Sequence, residues 1–154
     1  MSAVPARPPQ MPWLSPYLTV KDSAAALDFY QRAFGFEKRF AAPMPDGRIG
    51  HCEMVWNDAM IMFGPEAAYG GTCKAPVTLG VEPPVSLYVY CADVDALCDR
   101  AQAAGAKVGM PPQDMFYGDR VCKLTDPDGH IWCFATHTGR TAPPPWEAGA
   151  GGSS

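Results

Sequence analysis

The sequence predicts an α+β protein of two repeated βαβββ modules, forming one curved mixed sheet with helices on its convex side. Three observations lead there. Segments alternating apolar and polar residues, as half-buried strands do, are interleaved with stretches of helical period. The order strand, helix, hairpin occurs twice. A shift of 71 positions also brings the halves into partial identity, setting Ser15 on Ser86, Tyr17 on Tyr88, Asp22 on Asp93 and Asp28 on Asp99. One gap in the helix lets Gly35 meet Gly105, and beyond it Gly47 meets Gly118.

Residues 1–12 contain too many prolines and too little apolar sequence for a secretory signal and read as a flexible arm. Module one spans 13–64. In WLSPYLTV (13–20), Leu14, Leu18 and Val20 alternate with Ser15, Tyr17 and Thr19. Asp22 or Ser23 is placed to cap the following helix and Gly35 to end it, with Leu27, Tyr30 and Phe34 on one stripe. Strands 48–56 and 59–64 are joined by a tight Asn57-Asp58 turn. Residues 65–84 form a glycine- and proline-rich linker of the length that marks a functional or mobile loop.

Module two spans 85–137. SLYVYC (86–91) is its first strand, and ADVDALCDRAQAAG (92–105) a helix capped by Asp93 and ended by Gly105. DRVCKLT (119–125) and HIWCFATH (130–137) form a hairpin whose DPDG turn has the proline and glycine positions of a type I turn. Before it, MFYGDR (115–120) reads as a loop over the sheet, with Phe116 and Tyr117 available to stack and Arg120 to meet an anionic group. Residues 138–154 read as a disordered tail, and 13–137 as a single domain.

Composition narrows the function classes. A net charge of −4 without a Lys/Arg cluster argues against nucleic acid as a partner. No apolar run approaches the roughly 18 residues that span a bilayer. Without an export signal the 6 cysteines read as reduced thiols in the cytoplasm. None shows CxxC spacing, which leaves a structural zinc site without support.

YGDRVCKLTDPDGHIWCFATH (117–137) concentrates metal-binding residue types. Strand parity nevertheless puts His130 and His137 on opposite faces, roughly 23 Å apart. His51 and Glu53 share a face, about 6.6 Å apart along the strand, but no further ligand stands beside them.

The VKD that opens the first helix and the DPDG before the last strand, on this repeated architecture, resemble the vicinal oxygen chelate superfamily. That group includes glyoxalase I, extradiol dioxygenases, fosfomycin-resistance enzymes and bleomycin-binding resistance proteins. The resemblance covers residues 13–137, and YGDR…DPDGHIW…ATH is most similar to the PhnB-like branch. It implies a homodimer, and a divalent metal held by one residue from the first and one from the last strand of each module. The positions that map there are Ser15, Met62, Ser86 and Cys133. None is a histidine or carboxylate, and a thioether is too soft for magnesium, manganese or iron.

The sequence therefore predicts no metal site and no cofactor, but a concave face that takes a small molecule. Period-two parity places Ser15, Tyr17, Thr19, Ser86, Tyr88, Tyr90, Met60, Met62, Ile131 and Cys133 on it; of these Ser15, Tyr17, Ser86, Tyr88, Met60, Met62 and Cys133, with His51, Glu53, Phe116, Tyr117 and Arg120, make the expected ligand-binding set. Trp132 and Phe134 go to the helix side. The 71-residue shift also puts Cys122 and Leu124 opposite His51 and Glu53, sending Lys123 toward the helices unless a bulge intervenes. The function expected is sequestration of an aromatic or amphipathic compound, as in bleomycin-resistance proteins, rather than catalysis. The alternatives are a glyoxalase- or dioxygenase-like enzyme with a metal relocated to His51 and Glu53, or a metal-free enzyme using either as general base.

Overall fold

Asp22 and Asp93 start the two principal helices, as their spacing predicts: Asp22 Oδ1 accepts from the Ala25 N–H at 2.9 Å, Asp93 Oδ1 from Ala96 N–H at 3.0 Å. A computed structural model describes residues 3–147. The chain divides after Gly80 into two compact units, each a βαβββ module with a four-stranded mixed sheet.

Unit one contains β1 (Tyr17–Val20), α1 (Ser23–Phe29), β2 (Glu37–Pro43), β3 (Ile49–Trp56) and β4 (Ala59–Pro65). Its sheet order is β1-β4-β3-β2, with β1 parallel to β4 and the other pairs antiparallel. A π-helical turn, Tyr30–Phe34, extends α1 until Gly35 ends it with φ 82°. Leu18, Val20, Cys52, Met54 and Phe63 form the buried face of the sheet, under Phe29, Tyr30 and Phe34. Tyr30 meets Phe63 edge-on, with ring centroids 5.5 Å apart. Within the expected linker lie a single 3₁₀ turn, Ala68–Gly70, and the short α2 (Pro76–Leu79).

Unit two repeats the pattern with β5 (Ser86–Tyr90), α3 (Val94–Ala103), β6 (Lys107–Asp114), β7 (Tyr117–Thr125) and β8 (Ile131–Thr141), in the order β5-β8-β7-β6. Cys122, Leu124, Trp132 and Phe134 are fully buried opposite Leu97, Cys98 and Ala101 of α3. Thr136 Oγ1 accepts from Val94 N–H at 2.9 Å and donates to the Cys91 carbonyl at 3.0 Å, tying α3 to β8. The turn before β8 is organised by Asp126, only 3% exposed. Its carboxylate accepts from the Asp128 and His130 N–H groups and from the Trp132 indole at 2.9–3.0 Å.

Several features depart from the sequence reading. The second strand of each module had no clear signature, because β2 and β6 are edge strands and need not alternate. β6 even carries Pro111 and Pro112, tolerated where one backbone edge faces no neighbour. The third strands align at a shift of 70, not 71. Cys52 pairs with Phe63 and Cys122 with Phe134, so Cys122 is the counterpart of Cys52 and Lys123 of Glu53. Lys123 thus lies on the open face with Cys133, and the conflict disappears because the one-residue gap in the helix persists through the third strand. Leu14, finally, is 86% exposed, since β1 begins only at Tyr17.

Segment 115–120 is a hairpin rather than a loop. Gly118 N–H bonds the Met115 carbonyl at 3.1 Å, and β7 begins at Tyr117. β8 runs on to Thr141, past the expected end of the domain, and residues 148–154 of the expected tail lie outside the described residues. In the N-terminal arm, of which residues 1–2 also lie outside, Arg7 stands 4.8 Å over the Trp13 ring.

Replacing Asp126 with alanine strands a buried indole N–H and two backbone N–H groups. The variant should lose about 2–4 kcal/mol of stability, read as a lowered urea midpoint.

Candidate functional site

The face of each sheet turned away from its helix presents one row of residues per register position. In unit one a row runs Tyr17, Met62, Glu53, Phe40, through the β1–β4, β4–β3 and β3–β2 pairings. The corresponding row in unit two is Tyr88, Cys133, Lys123, Met110. Partner residues in a ladder point to the same side, so the open faces are defined by pairing alone.

Unit one carries a chain of polar side chains. Tyr17 Oη is 3.2 Å from His51 Nδ1, and His51 Nε2 is 3.2 Å from Glu53 Oε1. Glu53 Oε2 is paired with Arg39. Facing a carboxylate, His51 Nε2 is set to donate to Glu53, and Nδ1 is left to meet the Tyr17 hydroxyl. The Tyr17 ring stacks on His51 at 5.6 Å and 27°. Partial burial raises the Tyr17 pKa, with smaller contributions from Tyr69 and Cys52. Gly64 makes this placement possible: a Cβ there would stand 2.8 Å from Tyr17 Oη and from the Gly50 carbonyl. Both His51 nitrogens and both Glu53 oxygens are thus engaged within the unit.

Unit two gathers its polar atoms on one carboxylate. Asp119 Oδ2 accepts from Tyr88 Oη at 2.9 Å and Tyr90 Oη at 2.8 Å, and Oδ1 is 2.9 Å from His137 Nδ1. Asp119 is 4% exposed. To reach β7 from β5 the tyrosines cross β8, which is why the open-face residues Ala135 and Val121 are buried. The rings themselves stay accessible, Tyr88 at 44%, Tyr90 at 55% and Tyr117 at 45%. The His137 hydrogen bond, followed by those from Tyr90 and Tyr88, outweighs burial and lowers the Asp119 pKa. Burial, then bonds to Tyr117 and Asp119, raises that of Tyr88, and the bond to Asp119 raises that of Tyr90.

The structure distributes the sequence-derived candidates unevenly. Tyr17, His51, Glu53 and Met62 come together on one face, and Met60 shares it but is 2% exposed. Ser86, Tyr88 and Cys133 share the other, with Tyr117 joining through its bond to Tyr88. Phe116 packs edge-on against Tyr117 and Trp146, each at 5.3 Å. Ser15 precedes β1. Arg120 does not join: its register partner is Thr136, on the helix side, and its guanidinium grips Asp95 at 2.7 and 2.8 Å and reaches Asp114 at 3.2 Å. Parity put Tyr90 on this face, but Asp119 and His137, which complete its cluster, were missed. Counting outward from the DPDG turn was the available signal, because it sets Asp119 directly opposite His137.

The metal implied by the resemblance does not fit these residues. Two hydroxyls, a thioether and a thiol stand at the mapped positions, and His51 and Glu53 have spent their donor atoms on each other and on Tyr17 and Arg39. Among the described residues no three His, Cys, Asp or Glu side chains are placed to hold an ion. All 6 cysteines are unbridged. Burial pushes the Cys52 thiol up to about 11 and Cys122 up to about 12.

The family model described as Glyoxalase/Bleomycin resistance protein/Dioxygenase superfamily matches residues 11–134. The chain belongs to that superfamily. An uncharacterised protein of Mycobacterium tuberculosis (strain ATCC 25618 / H37Rv) is 38% identical over 123 residues, 79% of this chain and 72% of its own. Among solved structures of the superfamily's fold, TioX from Micromonospora sp. ML1 superposes with a TM-score of 0.65 at 29% identity, covering 80% of this chain and 97% of TioX. TnmS3, an antibiotic binding protein from Streptomyces sp. CB03234, shares the fold with a TM-score of 0.56 at 24% identity, over 79% of this chain and 93% of its own. Among the described residues no helix is long and apolar enough to cross a membrane.

Because the folded pKa of Asp119 is depressed, its stabilising contribution is complete above the ordinary carboxylate value of about 3.9 and is lost as pH falls through the folded value. An Asp119→Asn variant should lose less stability than the parent between about pH 5 and about pH 3, measured as urea midpoints.

Proposed function

We propose that this superfamily member binds an aromatic or amphipathic small molecule on the helix-free faces of its sheets, without a metal, and sequesters it. The observation that carries the reading is the accessibility of aromatic rings there. Tyr17 is 52% and Phe40 49% exposed in unit one, and in unit two Tyr88, Tyr90 and Tyr117 are half-exposed. On each sheet such exposed rings, the tyrosines among them with tethered hydroxyls, form a stacking surface prepared in advance of the ligand. Met62 and Met110 add adaptable apolar contact. TnmS3, which shares the fold, is an antibiotic binding protein, and small-molecule binding here agrees with that. The proposal extends to a homodimer in the cytoplasm, where the unbridged cysteines find a reducing environment.

A second reading, metal-free general-base catalysis, has the Tyr17–His51–Glu53–Arg39 chain behind it. Glu53 orients the imidazole, and the imidazole polarises the hydroxyl of Tyr17, a residue 52% exposed.

A thermal-shift screen of planar aromatic compounds should find ligands that, at about 100 times their dissociation constant, stabilise the protein by about 2.7 kcal/mol. Tyr88→Ala should weaken such a ligand about tenfold or more. A screen with no stabilising aromatic compound removes the proposal. Turnover of a bound compound that Glu53→Gln abolishes, with binding retained, would move the assignment to the second reading.

A further inference from the structure

The charge built into the unit-two face specifies a class of ligand, an inference that rests on the binding reading above. Arg120, the residue whose type promised anion recognition, is turned to the helix side and held by Asp95 and Asp114. In its place the open face has a carboxylate, Asp119, set beneath the tyrosines. The other cations nearby are also engaged: Lys123 with Glu82 at 3.6 Å and Arg140 with Asp114 at 3.3 Å.

The donor inventory points the same way. The hydroxyl protons of Tyr88 and Tyr90 both go to Asp119 Oδ2, and His137, facing a carboxylate oxygen, gives it the Nδ1 proton. A ligand anion approaching these groups finds their protons already committed and a carboxylate behind them. A cation finds the reverse. Tyrosine rings attract positive charge to their faces, and donation of the hydroxyl to an anion leaves those faces richer in electrons. Tyr88 and Tyr90 meet at 68° with centroids 5.5 Å apart, forming a corner of two rings, and Tyr117 is linked to Tyr88 beside them. The His137 side chain beside them is 69% exposed.

We propose that the Tyr88, Tyr90 and Tyr117 face over Asp119 is a binding site for organic cations, taking the quaternary or protonated amine of an aromatic or amphipathic ligand.

The test is calorimetric titration of the full chain with three probes of matched shape: benzyltrimethylammonium, its neutral isostere neopentylbenzene, and the anion phenylmethanesulfonate. The cation should bind about tenfold or more tighter than the neutral isostere, and the anion most weakly. Asp119→Asn should bring cation and neutral affinities together by weakening the cation alone. Should that variant fail to fold, Tyr90→Leu, at an exposed ring, should reduce the cation's affinity several-fold more than the neutral compound's. Equal or tighter binding of the neutral probe overturns the cation site and leaves aromatic binding standing, as does a preference for the sulfonate. Absence of binding by all three, together with an empty aromatic screen, overturns both.

Discussion

The parallel pairing of the first strand of each module with its last sets the side on which every other residue works. Tyr17 lies opposite Met62 and Leu18 opposite Phe63; Tyr88 lies opposite Cys133 and Val89 opposite Phe134. Side chains alternate along a strand with a period of two, so this register assigns each residue of the central strands to the core or to the open face. A slip of one position would bury Tyr17 and Tyr88 and expose Phe63, Trp132 and Phe134. The buried bulk of those three rings opposes it.

With the sides assigned, the two halves of the duplication follow different rules. Toward the helices the counterparts keep their character: Leu18 and Val89, Phe63 and Phe134, Cys52 and Cys122, Met54 and Leu124 are all apolar, because close packing against a helix tolerates little else. On the open faces they part company. Glu53 answers to Lys123, His51 to Val121, Ile49 to Asp119. Unit one therefore places its half-buried carboxylate between a histidine and an arginine, and unit two places its buried one beneath tyrosines. The same backbone carries a proton-relay geometry in one half and an electron-rich aromatic surface in the other.

These faces do not resemble the ion-binding arrangement of many members of the superfamily, and the reason is economy of donor atoms. Tyr17, His51, Glu53 and Arg39 are joined to one another on unit one, and in unit two three side chains converge on Asp119. A divalent ion needs vacant lone pairs from several side chains at once. Among the groups still accessible are the faces of Tyr17, Phe40, Tyr88, Tyr90 and Tyr117.

Much of this was legible in residue order. Alternation revealed β1, β5 and the hairpins; Asp22, Asp93, Gly35 and the DPDG turn marked where elements begin and end; the pairing of His51 with Glu53 followed from parity. Local chemistry decides such features, since a cap, a turn or a half-buried strand is specified by residues within one or two turns of chain. The edge strands β2 and β6 were not legible, because a strand with one neighbour is under little pressure to alternate. Nor was the direction of Arg120, which depended on a one-residue shift between the modules. By itself the sequence determined the duplicated fold, its helix-facing core and the absence of a conventional ligand set at the mapped positions. Only tertiary structure decided that Asp119 lies beneath Tyr88 and Tyr90, because that contact crosses an intervening strand and joins residues about thirty positions apart, beyond the reach of any local rule.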